Sequence, residues 1–172
     1  MIRKAVETDI PAVAEIYNRL HDAEEAGKVT IGWIRGVYPT EDTARQALER
    51  DDLFVAEENG KIVGAAILNQ QQMDAYYAAD WRYAAQDRDV MVLHTLVISP
   101  EESGKGYGKA FVAFYEDYAR AHGCHVLRMD TNSRNVRARA MYRKLGFREA
   151  GIVPCTFNGI PGVGLVLLEK TL

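Results

Sequence analysis

The chain has 172 residues, of which 48% are hydrophobic and 26% charged, and its formal net charge at pH 7 is −3. This composition indicates a folded globular protein, and the length suits a single domain over residues 1–172. The slight acidity argues against a nucleic-acid partner, and no apolar run approaches the ~20 residues of a membrane span. Cys124 and Cys155 are the only cysteines, too few for a disulfide framework or a zinc site. We therefore expect a cytoplasmic protein that binds no metal and no membrane.

The first part of the chain predicts one strand followed by two helices. Residues 2–6 read as a short opening strand, and apolar residues at helical spacing follow Pro11, which suits the first turn of a helix. Residues 27–39 are then a loop. Thr40 caps a second, shorter helix that ends near residue 50.

The centre of the chain predicts a hairpin and a buried strand. Two segments at 53–57 and 61–68 flank an Asn59-Gly60 pair, which favours a two-residue type I′ turn. Residues 69–89 are less regular and contain several aromatic residues, whereas residues 90–98 are apolar except for a histidine and a threonine. Such an apolar run is typical of a strand that is buried on both faces.

The last part of the chain predicts two helices, each followed by strand structure. An apolar stripe predicts a helix that begins near Gly106, and a strand follows at 126–130. A helix at 135–145 and two strands at 147–153 and 164–171 complete the chain. Because helices alternate with strands but also stand beside hairpins, the pattern indicates a mixed α/β fold and not a regular doubly wound one.

A glycine-rich loop joins the buried strand at 90–98 to the following helix. Residues 102–109 read Glu-Ser-Gly-Lys-Gly-Tyr-Gly-Lys, so glycine recurs at every second position. Glycine lets backbone N–H groups approach a ligand closely, and N–H groups at a helix N-terminus favour an anion such as phosphate. The spacing fits neither a Walker loop nor the dinucleotide fingerprint, and a plain flexible loop is the simplest alternative.

This loop resembles the acyl-CoA pyrophosphate loop of the GCN5-related N-acetyltransferase (GNAT) superfamily, with Gly106 and Gly108 at the family's small positions. A second block of that family also looks present, as Asn135-x-x-Ala138-x-x-x-Tyr142-x-x-x-Gly146-Phe147. Ser103 departs from the family pattern, which usually has glutamine or arginine there. The departure implies a lost or weaker side-chain contact to the cofactor phosphates.

The resemblance implies a mixed, mostly antiparallel sheet of about seven strands whose two central parallel strands splay apart, with about four flanking helices. It also implies acetyl-CoA as the cofactor, with the pantetheine arm between strands 90–98 and 126–130. The residues expected to contact the cofactor are Leu96, Val97, Ile98, Ser103, Gly104, Lys105, Gly106, Tyr107, Gly108, Lys109, Asn135 and Ala138.

Two residues are expected to act in the chemistry. By resemblance, Tyr142 is the general acid for the departing thiolate, although its helical spacing also fits a plain core residue. His94 is the candidate general base because its ordinary pKa suits proton transfer, and a structural histidine is the alternative. Glu101, Asp130 and a water chain are further candidates, and an amine that arrives neutral needs no base. A covalent route through a cysteine is not expected.

The acceptor pocket is expected to come from the segments at 27–39 and 69–89. Their aromatic residues suit an apolar or cationic acceptor, or they merely pack these segments against the sheet. The residues expected to contact the acceptor are Trp33, Tyr38, Tyr77 and Trp81.

The predicted function is transfer of an acetyl group from acetyl-CoA to a primary amine, by direct attack of the amine on the thioester. The expected partner is a small-molecule amine. A protein N-terminus or lysine as the acceptor, and an acyl-CoA-binding sensor without turnover, are the alternatives. Both a monomer and a homodimer fit the sequence.

Overall fold

The computed structural model describes residues 1–172. Its strands are β1 (Ile2–Lys4), β2 (Leu53–Glu58), β3 (Lys61–Asn69), β4 (Val90–Ile98), β5 (Val126–Asn132), β6 (Arg148–Phe157) and β7 (Ile160–Thr171). Its helices are α1 (Ile10–Glu25), α2 (Glu41–Glu49), α3 (Tyr107–Ala121) and α4 (Val136–Lys144).

The seven strands form one sheet in the order β1-β2-β3-β4-β5-β7-β6. Neighbouring strands are antiparallel except β4 and β5, which run parallel at the centre. The predicted mixed, mostly antiparallel sheet with four helices is confirmed.

The helices cover both faces of this sheet. Ile10 and Tyr17 of α1 pack with Val55 of β2 on one face, whereas Phe111 and Tyr115 of α3 join the core on the other face. A third cluster of buried residues joins the segment at 70–89 to β4, β5 and β7. No helix is both long enough and apolar enough to cross a membrane.

Two hairpins have the same turn chemistry. Asn59 and Gly60 both have positive φ, 51° and 74°, as a type I′ turn requires. Asn158 and Gly159 have φ values of 46° and 85° and join β6 to β7. The strand boundaries predicted at 147–153 and 164–171 were therefore wrong, because both strands continue to this second Asn-Gly turn.

The segment at 70–89 contains only short 3₁₀ turns, yet polar contacts fix it to the sheet. The carboxylate of Glu169, a fully buried residue of β7, accepts hydrogen bonds from the backbone N–H groups of Arg82 at 2.8 Å and Tyr83 at 3.2 Å. Arg148 pairs with the same carboxylate, and Arg128 donates to the Tyr83 carbonyl at 2.9 Å. These contacts hold Tyr76, the buried aromatic residue of the segment, against β5.

Candidate active site

β4 and β5 pair only along their first halves. The parallel pairing ends at Leu93 opposite Met129. Immediately afterwards Thr95 enters the left-handed region (φ 50°), and the register of β4 against β3 shifts at the same point. β5 stays paired with β7 as far as Asn132, so β4 is the strand that diverges. This β-bulge opens the sheet between its two central parallel strands, which confirms the predicted splay.

A cavity of about 540 Å³ lies in the gap. One wall is β4 beyond the bulge, and the opposite wall is the end of β5 with α4. The glycine loop and the first turn of α3 close one side, and residues 28–33 after α1 close another. Phe157, Val163 and Leu165 of the β6–β7 hairpin add apolar surface.

Leu96 and Ile98 turn their backbone groups toward this gap. The Ser99 N–H donates to the Val63 carbonyl at 2.9 Å, and hydrogen-bonded pairs alternate with non-bonded pairs along an antiparallel ladder. Val97, two residues before Ser99, therefore directs its own N–H and C=O to β3. The backbone groups of Leu96 and Ile98 point the other way, where the bulge has removed β5 as a partner, so they can bind a ligand.

The glycine loop presents free backbone donors at the N-terminus of α3. The N–H groups of Gly104, Gly106, Tyr107, Gly108 and Lys109 have no hydrogen-bond partner in the protein, and all five residues line the cavity. Gly104 and Gly106 have φ values of 84° and 92°, which glycine adopts without strain. The partial positive charge of a helix N-terminus adds to these donors, so this part of the cavity suits an anion.

Two basic side chains beside these donors have no carboxylate partner. Lys109 lies in the first turn of α3, and Arg137 of α4 reaches across the gap to donate to Ser103 Oγ at 2.9 Å. Arg134 and Arg139, in contrast, are paired with glutamates at 3.6 Å and 2.9 Å. Positive charge is therefore left available where the free N–H groups converge.

Tyr142 of α4 is buried and lines the cavity, and its hydroxyl group makes no hydrogen bond to the protein. Burial and the nearby charge of Asp130 raise the pKa of Tyr142 well above its usual value, so the phenol stays protonated at neutral pH. At the start of the same helix, Asn135 accepts a hydrogen bond from the Ala138 N–H at 3.2 Å. Asn135 is therefore a helix cap, and both it and Ala138 also line the cavity.

Asp130, near the end of β5, lines the cavity. The Tyr76 hydroxyl donates to Asp130 Oδ2 at 2.7 Å. Burial raises the pKa of Asp130 to about 6, and the hydrogen bond from Tyr76 only partly opposes this rise. A carboxylate with such a pKa is ionised at neutral pH and can still accept a proton, which is what a general base needs.

Three residues predicted for catalysis or cofactor binding lie outside the cavity lining. His94 precedes the bulge, and its Nε2 lies 2.9 Å from Asn69 Oδ1 on the neighbouring strand. Burial lowers the pKa of His94 to about 4, so the imidazole is neutral at pH 7 and is engaged away from the gap. Val97 packs on the opposite face of the sheet, and the ammonium group of Lys105 pairs with Glu102 at 2.6 Å.

Of the four aromatic residues predicted to contact the acceptor, Trp33 alone lines the cavity. Tyr38 stands behind it, edge-to-face with Trp33 at 5.9 Å and with Phe157 at 5.4 Å, and its hydroxyl bonds the side chain of Thr95. Tyr38 therefore connects the aromatic wall to the bulge. The wall residues Phe157 and Thr95 were missed, because Phe157 lies in the underestimated part of β6 and nothing in the sequence marks the bulge.

Tyr77 and Trp81 are outside the cavity. Tyr77 is 68% exposed, whereas Trp81 packs under the guanidinium of Arg128, 4.3 Å from the ring centroid. Trp81 therefore fits the alternative that these aromatic residues pack the segment against the sheet, whereas Tyr77 lies at the surface. Burial raises the pKa of the Cys124 and Cys155 thiols, and neither residue lines the cavity.

The sequence that builds this site matches a known family. Residues 13–147 match the model of the acetyltransferase (GNAT) family. The chain belongs to this family. The match runs through the glycine loop, the gap between β4 and β5, and α4, so the cavity is the candidate active site of an acetyltransferase. Acetyl-CoA is the cofactor of the family.

Several curated proteins are similar over most of the chain. An L-methionine sulfoximine/L-methionine sulfone acetyltransferase of Salmonella typhimurium is 32% identical over 155 residues, which are 89% of this chain and 82% of that protein. The L-amino acid N-acyltransferase MnaT of Escherichia coli is 28% identical over 154 residues, 85% of this chain and 78% of that protein. The uncharacterized N-acetyltransferase MJ1207 of Methanocaldococcus jannaschii is 28% identical over 105 residues, and the chain spans only 42% of its length.

The fold also resembles solved structures. The acetyltransferase yncA of Salmonella typhimurium, solved with its cofactor acetyl-CoA, superposes with a TM-score of 0.71 at 24% identity, covering 100% of this chain and 93% of that one. A GNAT-family acetyltransferase of Streptococcus agalactiae superposes with a TM-score of 0.81 at 21% identity, covering 100% and 95%. At these identities the similarity shows the fold.

Proposed function

We propose that the protein transfers the acetyl group of acetyl-CoA to the primary amine of a small molecule, by direct attack of the amine on the thioester. The observation that carries the proposal is the content of one cavity. Free N–H donors of the glycine loop, the backbone groups of Leu96 and Ile98, the Tyr142 hydroxyl and the Asp130 carboxylate all face it. Anion binding and proton transfer are thus available in a single chamber.

The residues of the cavity fit acetyl-CoA. The loop donors from Gly104 to Lys109 would hold the pyrophosphate, with positive charge from Lys109 and Arg137. The backbone groups of Leu96 and Ile98 would bind the amides of the pantetheine arm. When bound, acetyl-CoA supplies an acetyl thioester with an electrophilic carbonyl carbon. Val97 and Lys105 are left out of this set because they lie outside the cavity.

The protein's own residues would handle both protons of the reaction. Asp130 takes a proton from the incoming ammonium group, since burial raises the pKa of this carboxylate to about 6 and so increases its basicity. Tyr142, which stays protonated because burial raises its pKa, donates a proton to the sulfur as the C–S bond breaks. The second proton, which the nitrogen loses as the amide forms, restores the Tyr142 phenol, and Asp130 releases the first proton to solvent. We propose Asp130 instead of His94 as the base, since His94 is bonded to Asn69 outside the cavity.

The proposal extends to the domain organisation and the cellular location of the enzyme. We propose that residues 1–172 act as one acetyltransferase domain in the cytoplasm. Both cysteines are free thiols, as a reducing compartment would keep them. Their raised pKa values favour the protonated, poorly nucleophilic form, which supports direct transfer without an acyl-enzyme step.

Calorimetric titration with acetyl-CoA tests the cofactor, with ATP and NAD as phosphate-bearing controls. We expect acetyl-CoA to bind selectively, because its pyrophosphate fits the loop and its pantetheine arm fits the gap. A panel of small primary amines, amino acids and short peptides is then screened for release of the CoA thiol. Mass spectrometry of the products identifies which amine has gained an acetyl group.

Each result has a distinct meaning. Acetyl-CoA binding with thiol release in the presence of a small amine supports the proposal. Binding without thiol release from any acceptor supports the sensor alternative, and release with peptides alone supports a protein acceptor. Equal binding of ATP, NAD and acetyl-CoA would contradict the assignment of the cavity.

A further inference from the structure

The part of the cavity around Asp130 combines one acidic group with an aromatic wall. Trp33 and Phe157 line the cavity, and Tyr38 packs edge-to-face against both of them. The hydroxyl of Tyr76 contacts Asp130, and Tyr76 belongs to the same apolar cluster as Trp33, Tyr38 and Phe157. A ligand group that contacts Asp130 is therefore surrounded by apolar and aromatic surface.

No basic side chain neutralises this acid. Asp130 takes part in no ion pair, and its single hydrogen-bond partner is the neutral hydroxyl of Tyr76. Burial raises the pKa of Asp130, and the hydrogen bond from Tyr76 only partly opposes this rise. A carboxylate that lines a cavity and has no ion-pair partner favours the binding of a cationic group.

The cations of the cavity are placed elsewhere. Arg137 contacts Ser103 at the glycine loop, and Lys109 lies in the first turn of α3. Lys28 follows α1 directly, with its backbone N–H bonded to the Ala23 carbonyl. None of the three forms an ion pair with Asp130, whose one side-chain partner is Tyr76. Asp130 is thus left without an ion-pair partner in the protein, and a cationic group is the ligand that would pair with it.

We infer that the acceptor is a primary amine that carries an aromatic or other apolar group and has no carboxylate on the carbon bearing the amine. This inference rests on the proposed function, because it concerns the acceptor of the same reaction. An α-amino acid would bring its carboxylate beside Asp130 in apolar surroundings, where two negative charges repel each other strongly. The inferred acceptor differs from the amino acids and methionine derivatives for which the Salmonella and Escherichia coli relatives are named.

Matched acceptors test the inference on the unaltered protein. Phenethylamine, phenylalanine and phenylalanine methyl ester share the same amine and ring, and the ester keeps the bulk of the acid without its negative charge. Tryptamine, tryptophan and its methyl ester form a second series. We expect kcat/KM for the amine to exceed that for the acid by about 100-fold or more, with the ester within about tenfold of the amine.

The possible results separate this inference from the proposed function. Acetylation of phenylalanine or L-methionine sulfone as fast as of the ester would overturn it while leaving the acetyltransferase proposal intact. Faster acetylation of short aliphatic amines than of both aromatic series would overturn the inference that the acceptor carries an aromatic or other apolar group. Failure of every amine, with or without acetyl-CoA binding, would count against the proposed function itself.

Asp130→Asn gives an independent readout. The asparagine oxygen can still accept the Tyr76 hydrogen bond, but the repulsion of a second carboxylate is gone. We expect the amine-to-acid ratio of kcat/KM to fall by about tenfold or more, even though the overall rate drops. Asp74→Asn removes an exposed acid of the same segment as Tyr76 and should keep the wild-type ratio. An unchanged ratio in Asp130→Asn would show that this carboxylate does not select the acceptor.

Discussion

At the scale of single residues, Tyr142 has a hydroxyl group without a protein partner in an otherwise buried side chain. Its ring packs edge-to-face with Phe147 at 6.1 Å, so phenylalanine at 142 preserves the packing. We expect Tyr142→Phe to lower kcat by about 100-fold, which is typical of the loss of a general acid. The affinity for acetyl-CoA, measured by calorimetry, should change less than about twofold, because in the proposed mechanism the hydroxyl acts only on the departing sulfur.

A second tyrosine serves as the control for this change. Tyr77→Phe removes the same atom from an exposed side chain outside the cavity and should leave kcat unchanged. If Tyr142→Phe keeps the wild-type kcat, then Tyr142 is a core residue and some other group protonates the thiolate.

Asp130 should cost the folded protein stability at neutral pH. Its pKa is about 6 in the folded chain against an ordinary value of 3.8, so folding favours the protonated carboxyl. Stability from this group is therefore lost as pH rises from about 4 to about 6, by roughly 2–3 kcal/mol in total. We expect Asp130→Asn to be more stable than the wild type at about pH 7, by urea unfolding, and to lose this advantage at about pH 4.

Activity should change in the opposite sense to stability. The wild-type rate should rise with pH through about 6 as Asp130 ionises, and Asp130→Asn should lack this limb of the profile. A variant that is neither more stable at neutral pH nor altered in its pH–rate profile would show that Asp130 is not a buried, titrating base.

The residues of the site differed in how well the sequence predicted them. The glycine loop and Tyr142 belong to local patterns, in which neighbouring residues fix the conformation, and the structure places both at the cavity. His94 was predicted from its ordinary pKa and from its place in an apolar strand, just before the backbone expected to bind the cofactor. The direction of its side chain depends on a bulge at Thr95, one residue later. Because residue 95 is not a glycine, nothing in the sequence indicates its positive φ.

At the scale of elements, most helices and strands follow from short-range signals. The first hairpin was predicted from Asn59-Gly60. The same pair at Asn158-Gly159 did not enter the prediction, so the predicted β6 and β7 are shorter than the observed strands. Pro154 within β6 and the glycines early in β7 interrupt the usual strand pattern, which explains the error. Phe157 of the aromatic wall lies in this long hairpin, so the error in strand length became an error in the site.

The loop at the start of α3 can be tested as an element. Gly106 has φ 92°, and a Cβ there meets nothing within 4 Å. Gly106→Val therefore strains the backbone by roughly 1–2 kcal/mol without a steric clash inside the protein. We expect it also to weaken acetyl-CoA binding by tenfold or more, roughly the loss of one charge-assisted hydrogen bond, because the N–H groups around residue 106 shift.

Gly123→Val separates the strain from the loss of binding. Gly123 has φ 72° and open space around its Cβ position, but it follows α3 on the far side from the cavity. Both variants should show a similar loss of thermal stability, while Gly123→Val should bind acetyl-CoA like the wild type. Equal affinities in the two variants would mean that the loop does not hold the pyrophosphate.

At the scale of the whole molecule, charge is distributed unevenly. The chain is acidic overall, with a formal net charge of −3. Lys28, Lys109 and Arg137 nevertheless line the cavity without carboxylate partners, while Arg134 and Arg143 nearby are paired with glutamates. A cluster of unpaired cations in a cleft focuses a positive field even on an acidic protein, which suits a cofactor with several phosphate charges.

Such a field predicts that salt weakens acetyl-CoA binding. The Debye length falls from ~10 Å at 0.1 M salt to ~3 Å at 1 M, so Kd should rise several-fold as NaCl increases over that range. Arg137→Gln should raise Kd by about tenfold at low salt and flatten its salt dependence. Arg143→Gln, on the same helix but paired with Glu149 and outside the cavity, should behave like the wild type in calorimetric titrations. If Arg137→Gln and Arg143→Gln weaken binding equally, the effect comes from net charge and not from the unpaired arginine at the glycine loop.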